Sequence, residues 1–303
     1  MTQSDLRLPG PRDTMVLTVA VLAISASAPM IVAITAPALA IAFWRSFLGG
    51  LMTAPFVLVG GVERLRSVPA RQWQQAALSG VLLAAHFATW VPSLRFTSVA
   101  SSTALVATQP VWAALIARFR GVRIARGTWV GIAVALVGVV VLTGIDFSLD
   151  PRSLVGDALA LVGAILAAAY VTVGESARQS MSTADYTGVA YLVSAAALIP
   201  LCLGFGSSLV GYPTSDWVLI VALTVVAQLL GHTLVSFVLR RASATVVSLA
   251  ILFEMPGAVV LAALFLSQVP PVQVLPALVL LGAGLVLVIR STRAAQPVES
   301  PPV

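Results

Sequence analysis

A chain of 303 residues that is 59% apolar and only 9% charged carries more apolar side chain than the core of a soluble domain can hide. Its mean hydropathy of +1.02 makes lipid the expected solvent for most of the surface. The formal net charge of +6 comes from arginine alone, since there is no lysine; these arginines are scattered over short loops, which excludes an extended nucleic-acid face and with it nucleic acid as a partner.

In chain order, residues 1–14 read as a cytoplasmic tail, followed by apolar runs near 15–34, 38–59, 74–93, 98–118 and 126–144. Each approaches the roughly 20 residues a helix needs to cross about 30 Å of hydrocarbon. The first run is too long for a signal-peptide core and lacks a small-residue cleavage pattern, so it reads as a retained helix. Residues 145–155 form an extracytoplasmic linker. Five more runs follow near 156–174, 186–205, 216–237, 244–266 and 272–290, and a tail with three prolines, 291–303, closes the chain. These runs lack the alternation a lipid-facing barrel requires, so the expected fold is an all-α membrane protein with ten transmembrane helices.

Ten crossings put both termini on one side. That side collects Arg7, Arg12, Arg64, Arg66, Arg71, Arg178, Arg240, Arg241, Arg290, Arg293 and the group from Arg118 to Arg126, against only Arg95 and Arg152 opposite. The positive-inside rule makes it the cytoplasmic side.

A shift of 146 residues brings His86, Arg95 and Pro110 onto His232, Arg241 and Pro256. The same shift pairs Ser102 with Ser248, Ala104 with Ala250 and Gly138 with Gly284. The chain therefore reads as two five-helix repeats, and an odd number of crossings per repeat inverts the second relative to the first.

Ionisable and polar side chains inside the spans are the candidate site. Glu254, two residues before Pro256, needs a cation, water or a proton in that setting and is the leading proton-coupling candidate. Arg45 is its candidate partner or a docking point for a solute carboxylate, with snorkelling to the outer interface as the alternative. His86 and His232 serve either as proton relays or as helix-bridging hydrogen-bond groups. Arg95 and Arg241, at helix ends, read as interface anchors. Pro110 and Pro256 are kink or hinge candidates, because each removes a helical hydrogen bond. Ser102, Thr108, Gln109 and Ser248 offer neutral hydrogen bonds, and Trp44, Trp90, Trp112, Tyr170 and Tyr191 offer cavity walls. Trp73, Trp129 and Trp217 read as belt anchors. Gly127 and Gly131 form a small-xxx-small stripe that serves either a homodimer or packing within the chain.

The single Cys202 makes an intrachain disulfide impossible. No phosphate loop, nucleophile elbow or paired Cys/His spacing occurs, so no cofactor, metal or enzymatic activity is expected. The stretch from Leu94-Arg95 through Leu105 to Gln109-Pro110, its counterpart from Arg241 to Pro256, and Phe43-Trp44-Arg45 resemble the drug/metabolite transporter superfamily, specifically bacterial EamA-type transporters, over nearly all of residues 15–290. That resemblance implies a carrier in the bacterial plasma membrane with a central cavity between the halves. It further implies export of amino acids, other small metabolites or toxic compounds. Alternating access driven by proton entry is the expected mechanism; an intramembrane lipid-modifying enzyme and a channel are the alternatives.

Overall fold

In this computed structural model the described residues are 6–59, 62–97, 99–143, 150–257, 261 and 274–295, and among them every regular element is a helix. The first half contains α1 (Pro11–Ser25), α2 (Ser27–Ala33), α3 (Ala38–Val59), α4 (Val62–Ser67), α5 (Ala70–Phe96), α6 (Val99–Val106), α7 (Gln109–Phe119) and α8 (Arg126–Thr143). The second contains α9 (Pro151–Ala177), α10 (Thr183–Gly204), α11 (Thr214–Leu223), a π-helix (Thr224–Thr233), α12 (Leu234–Val238), α13 (Ala244–Ile251) and α14 (Val274–Ala295).

Seven helical segments among the described residues are long and apolar enough to cross a membrane: Pro11–Ala33, Ala38–Val59, Ala70–Phe96, Pro151–Ala177, Thr183–Gly204, Thr214–Val238 and Leu275–Thr292. The sequence pattern gives ten. The difference lies in three places. The run at 98–118 is interrupted between α6 and α7, and Arg126–Val141 and Ala244–Gly257 are shorter apolar helices. Most of 258–273, where the ninth expected span ends and the tenth begins, lies outside the described residues, as do 1–5, 144–149 and 296–303.

Helix starts also come earlier than hydropathy places them, for a local reason. Pro11 and Pro151 occupy first-turn positions, where the missing N–H costs nothing. Asp150 caps α9 by accepting from Ser153 N at 3.2 Å, and Ser182 caps α10 by accepting from Asp185 N at 3.1 Å. Residues 6–10, expected to be part of a free tail, are instead packed. Leu6 is buried against Ile124 and Val246, and Arg7 pairs with Glu175 at 2.7 Å while its carbonyl accepts from Ser243 N at 3.0 Å. A hydropathy profile sees a polar terminus there and misses the carboxylate waiting at the end of α9.

The helices pack in couples that exchange when the repeats are swapped. α5 lies along α9, and the π-helix with α12 lies along α1; α3 faces α10 and α8 faces α14. The same exchange holds at atomic detail in the α8–α14 seam. A Cβ on Gly131 would lie 2.6 Å from the carbonyl oxygen of Gly284, and one on Gly138 would lie 3.0 Å from that of Ala277. These contacts map onto each other under the 146-residue shift. The Gly127–Gly131 stripe is thus occupied inside the chain, with Gly127 against Ser291 and Gly131 against Gly284 and Val288.

Both ends of the bundle are tied by charge. At the basic end, Glu175 also accepts from Ala244 N at 3.0 Å, Arg241 meets Asp13 at 3.1 Å and Arg64 meets Asp185 at 2.7 Å. Arg178 closes the turn between α9 and α10 by donating to Met181 O and to Thr183 Oγ1 at 2.7 Å, and it reaches Ser236 O at 2.8 Å. Burial, with Arg240 nearby, lowers its pKa to about 10, so it stays charged at neutral pH.

At the other end, the connection between α2 and α3 is held from both halves. Arg95 donates to Ile34 O at 2.5 Å, and the Asp216 carboxylate accepts from Thr35 N at 3.0 Å, Thr35 Oγ1 at 2.7 Å and Ala36 N at 2.9 Å. Removing a buried acceptor leaves its donors unpaired, at about 1–3 kcal/mol. Asp216→Ala should therefore lower the thermal midpoint in detergent while Asp216→Asn keeps part of the loss at bay; an Asp216→Ala midpoint equal to the parent's would show that the clamp carries no stability.

Candidate functional site

Between the two halves lies a narrow cavity of about 60 Å³. Both repeats build it. The first contributes Ile24 and Ser27, His86 and Trp90 of α5, and Thr103, Gln109 and Pro110 of the interrupted fourth run. The second contributes Tyr170 of α9, His232, Val235, Ser248 of α13, and Glu254.

Local helix chemistry puts these groups there. α6 ends at Val106 and α7 begins at Gln109, with Pro110 in its first turn, where no N–H is needed. α13 ends at Ile251 and a turn at Leu252–Phe253 precedes the helical residues 254–257. The two interruptions are images under the repeat shift, Ala107 falling on Phe253. They aim Gln109 and Glu254 at the cavity, and Gln109 Nε2 donates to Ser248 Oγ at 2.9 Å, a bond between the halves.

The π-helix is the main departure from symmetry, since its counterpart in α5 is regular. Its wider turn disturbs the usual ladder and is a common feature of functional sites. It carries Gln228 and His232. Tyr191 of α10 braces it, donating to Gln228 O at 3.1 Å and meeting Thr233 Oγ1 at 2.9 Å.

Arg45 sits directly behind the wall. It is fully buried, so it does not snorkel. Its Nε donates to Gln228 Oε1 at 3.0 Å and its Nη1 to Ser27 Oγ at 3.3 Å, and its guanidinium lies 4.2 Å over the ring of Phe87. Phe87 in turn meets His232 edge-on, with centroids 5.7 Å apart. His86 Nδ1 is 2.9 Å from Gly163 O; a carbonyl only accepts, so that nitrogen carries the proton and Nε2 is the acceptor. His86 also stacks on Trp90, with centroids 5.7 Å apart. The ion pairs among the described residues include neither Arg45 nor Glu254.

Of the residues expected from sequence, His86, Trp90, Gln109, Pro110, Tyr170, His232, Ser248 and Glu254 line the cavity. Arg45 and Tyr191 stand behind the lining. Others are used elsewhere. Ser102 bonds Ser93 at 2.7 Å, and Thr108 donates to Leu105 O at 2.7 Å and accepts from Trp112 at 3.1 Å. Trp44 donates to Leu209 O at 2.7 Å and stacks edge-on against Trp217, away from the cavity. Pro256 lines a separate apolar cavity with Leu17, Val21 and Leu278. Sequence reasoning missed Ser27 and Gln228. A glutamine inside an apolar run, where the matched position of the first repeat is Leu82, was the available signal.

The family model for the EamA-like transporter family matches residues 14–144 and again 154–290. No curated protein matches the chain in sequence. Twenty-nine chains of solved structures match it. One, a crystal structure of a protein, superposes with a TM-score of 0.74 over 94% of this chain and 99% of its own, at 20% identity, a likeness of fold alone.

Proposed function

Because the chain belongs to the EamA-like transporter family, we propose that this multi-pass membrane protein moves a small solute by alternating access between its two halves. The observation that carries this reading is the cavity itself, which is walled by both repeats and bridged by the Gln109–Ser248 hydrogen bond between the halves. Two halves packed as paired helices around such a cavity can rock about a fixed site without rebuilding either one. In this reading the chain crosses the membrane ten times. The first repeat spans 15–144, a linker 145–155 follows, and the second repeat, 156–290, is inverted. Both termini face the cytoplasm of a bacterial plasma membrane and the solute leaves the cell.

Glu254 is the coupling group. It is the one carboxylate among the described residues lining the cavity, and it lies next to a helix interruption. Pro110 is the matched hinge in the first repeat. Purified protein in proteoliposomes should show saturable counterflow of its solute. A pH gradient should drive accumulation in the parent, whereas Glu254→Gln should retain downhill exchange and lose about tenfold or more of the gradient-driven accumulation. Undiminished accumulation by Glu254→Gln would remove the coupling role, and conductance without saturation would remove the carrier.

A further inference from the structure

Arg45 is a buried cation that none of the ion pairs among the described residues includes; the carboxylate whose charge reaches it, Glu254, stands beyond ion-pair distance. Its Nε and Nη1 are used, but Nη2 has no partner among the described residues, and neither does Nε2 of Gln228, the side chain that holds the other edge of the same guanidinium. Trp90 Nε1, on the cavity wall, is a third buried N–H in that condition. All three unpartnered nitrogens are donors, and the Tyr170 hydroxyl on the same wall is a fourth unpartnered group, able to donate or accept. A buried charge left without a counter-charge costs several kcal/mol, and buried donors without acceptors add to it, so a site that keeps all of them is complete only when an acceptor arrives. Ser27, which lines the cavity and accepts from Arg45, is the side chain that stands between the guanidinium and the open space.

Resting on the transport reading, we propose that Arg45 and Gln228 dock a carboxylate of the transported solute and that this solute is a small monocarboxylate with an apolar body. A carboxylate is an acceptor-only group whose two oxygens match the fork of a guanidinium, and it supplies a counter-charge at contact distance, which Arg45 lacks. Part of the wall fits a hydrocarbon chain: Ile24, Val106, Val235, Ile251 and Leu252 offer no polar side-chain atom. A cationic solute would sit against Arg45 with like charge. It would favour Glu254 instead, so the sign of the bound charge separates the two possibilities.

The test uses the full chain in detergent, with isovalerate, isovaleramide and isopentylamine as probes of equal bulk, read by tryptophan fluorescence and thermal shift. Isovalerate should bind at least about tenfold more tightly than isovaleramide, and isopentylamine should not bind. Arg45→Met should weaken isovalerate by about 10–100-fold, the range for losing a charge-assisted hydrogen bond. Its unliganded melting temperature should stay level or rise, because an unpaired buried charge has been replaced by an apolar side chain. Arg45→Lys, which keeps the charge and loses the fork, should bind isovalerate with intermediate strength. Preference for isopentylamine, absence of isovalerate binding, or unchanged isovalerate binding in Arg45→Met each overturns the proposal. Arg45-dependent isovalerate binding without counterflow in vesicles would leave the docking site standing and remove the transport reading.

Discussion

Gly284→Val should cost about 3–5 kcal/mol of stability, read as a large fall in thermal midpoint, while Gly282→Val two residues away should change it by less than about 1 kcal/mol. A Cβ at Gly284 would lie 2.5 Å from the carbonyl oxygen of Gly131 and 2.8 Å from both N and Cβ of Ala135. None of these is the end of a flexible chain. Relief requires α8 and α14 to separate along their length, and in lipid such a seam is held by close van der Waals contact rather than by expulsion of water. Gly282 meets nothing within 4 Å, so its substitution tests the general effect of valine in the same helix. Gly131→Leu should behave like Gly284→Val, since its Cβ would lie 2.6 Å from both Gly284 O and Val288 Cγ2. Equal midpoints for Gly284→Val and Gly282→Val would show that the seam does not depend on close approach.

The seam illustrates what an apolar sequence does and does not reveal. Gly138 and Gly284 recur at the repeat spacing, and Gly131 belongs to a small-residue stripe, so a close helix approach was legible. Which helix it met was not, because a small residue records only that something comes near. The interruptions before Pro110 and Pro256 were legible for a stronger reason: proline lacks the N–H that a continuous helix would use. His86 and His232 stood out because ionisable groups are expensive in a bilayer and are kept only where they face protein or a cavity.

What escaped the sequence was tertiary pairing. Ser102 looks as suited to a solute as Ser248 does, yet one bonds Ser93 within its own half and the other bonds Gln109 across the halves. Helix rotation decides that difference, and composition does not encode rotation. Trp44 and Trp90 are similarly alike in sequence, but Leu209 O and Trp217 take the first while the second faces the cavity. Residues 6–10 escaped because Arg7 and Leu6 find Glu175, Ile124 and Val246 only after the chain has folded.

Gln228 carries the sharpest consequence of that pairing. Gln228→Leu removes the acceptor for Arg45 Nε and leaves a fully buried guanidinium with Ser27 Oγ and the Phe87 face. Breaking a buried polar contact from the uncharged side strands the charge, so the single variant should lose about 3 kcal/mol, read from the midpoint in detergent. On the Arg45→Met background the same change removes an amide that no longer has a charge to hold, and its cost should fall to about 1 kcal/mol or less. The double-mutant cycle should therefore return a coupling of about 2 kcal/mol, at the upper part of the range for contacting residues. Gln228→Glu offers the reverse: an anion at the same position neutralises Arg45, and the protein should melt at or above the parent temperature. Additive costs for Gln228→Leu in the two backgrounds would mean that Gln228 matters to the π-helix itself and that Arg45 is solvated by some other group. Coupling without any gain for Gln228→Glu would confine the effect to hydrogen bonding and leave the unpaired charge out of the account.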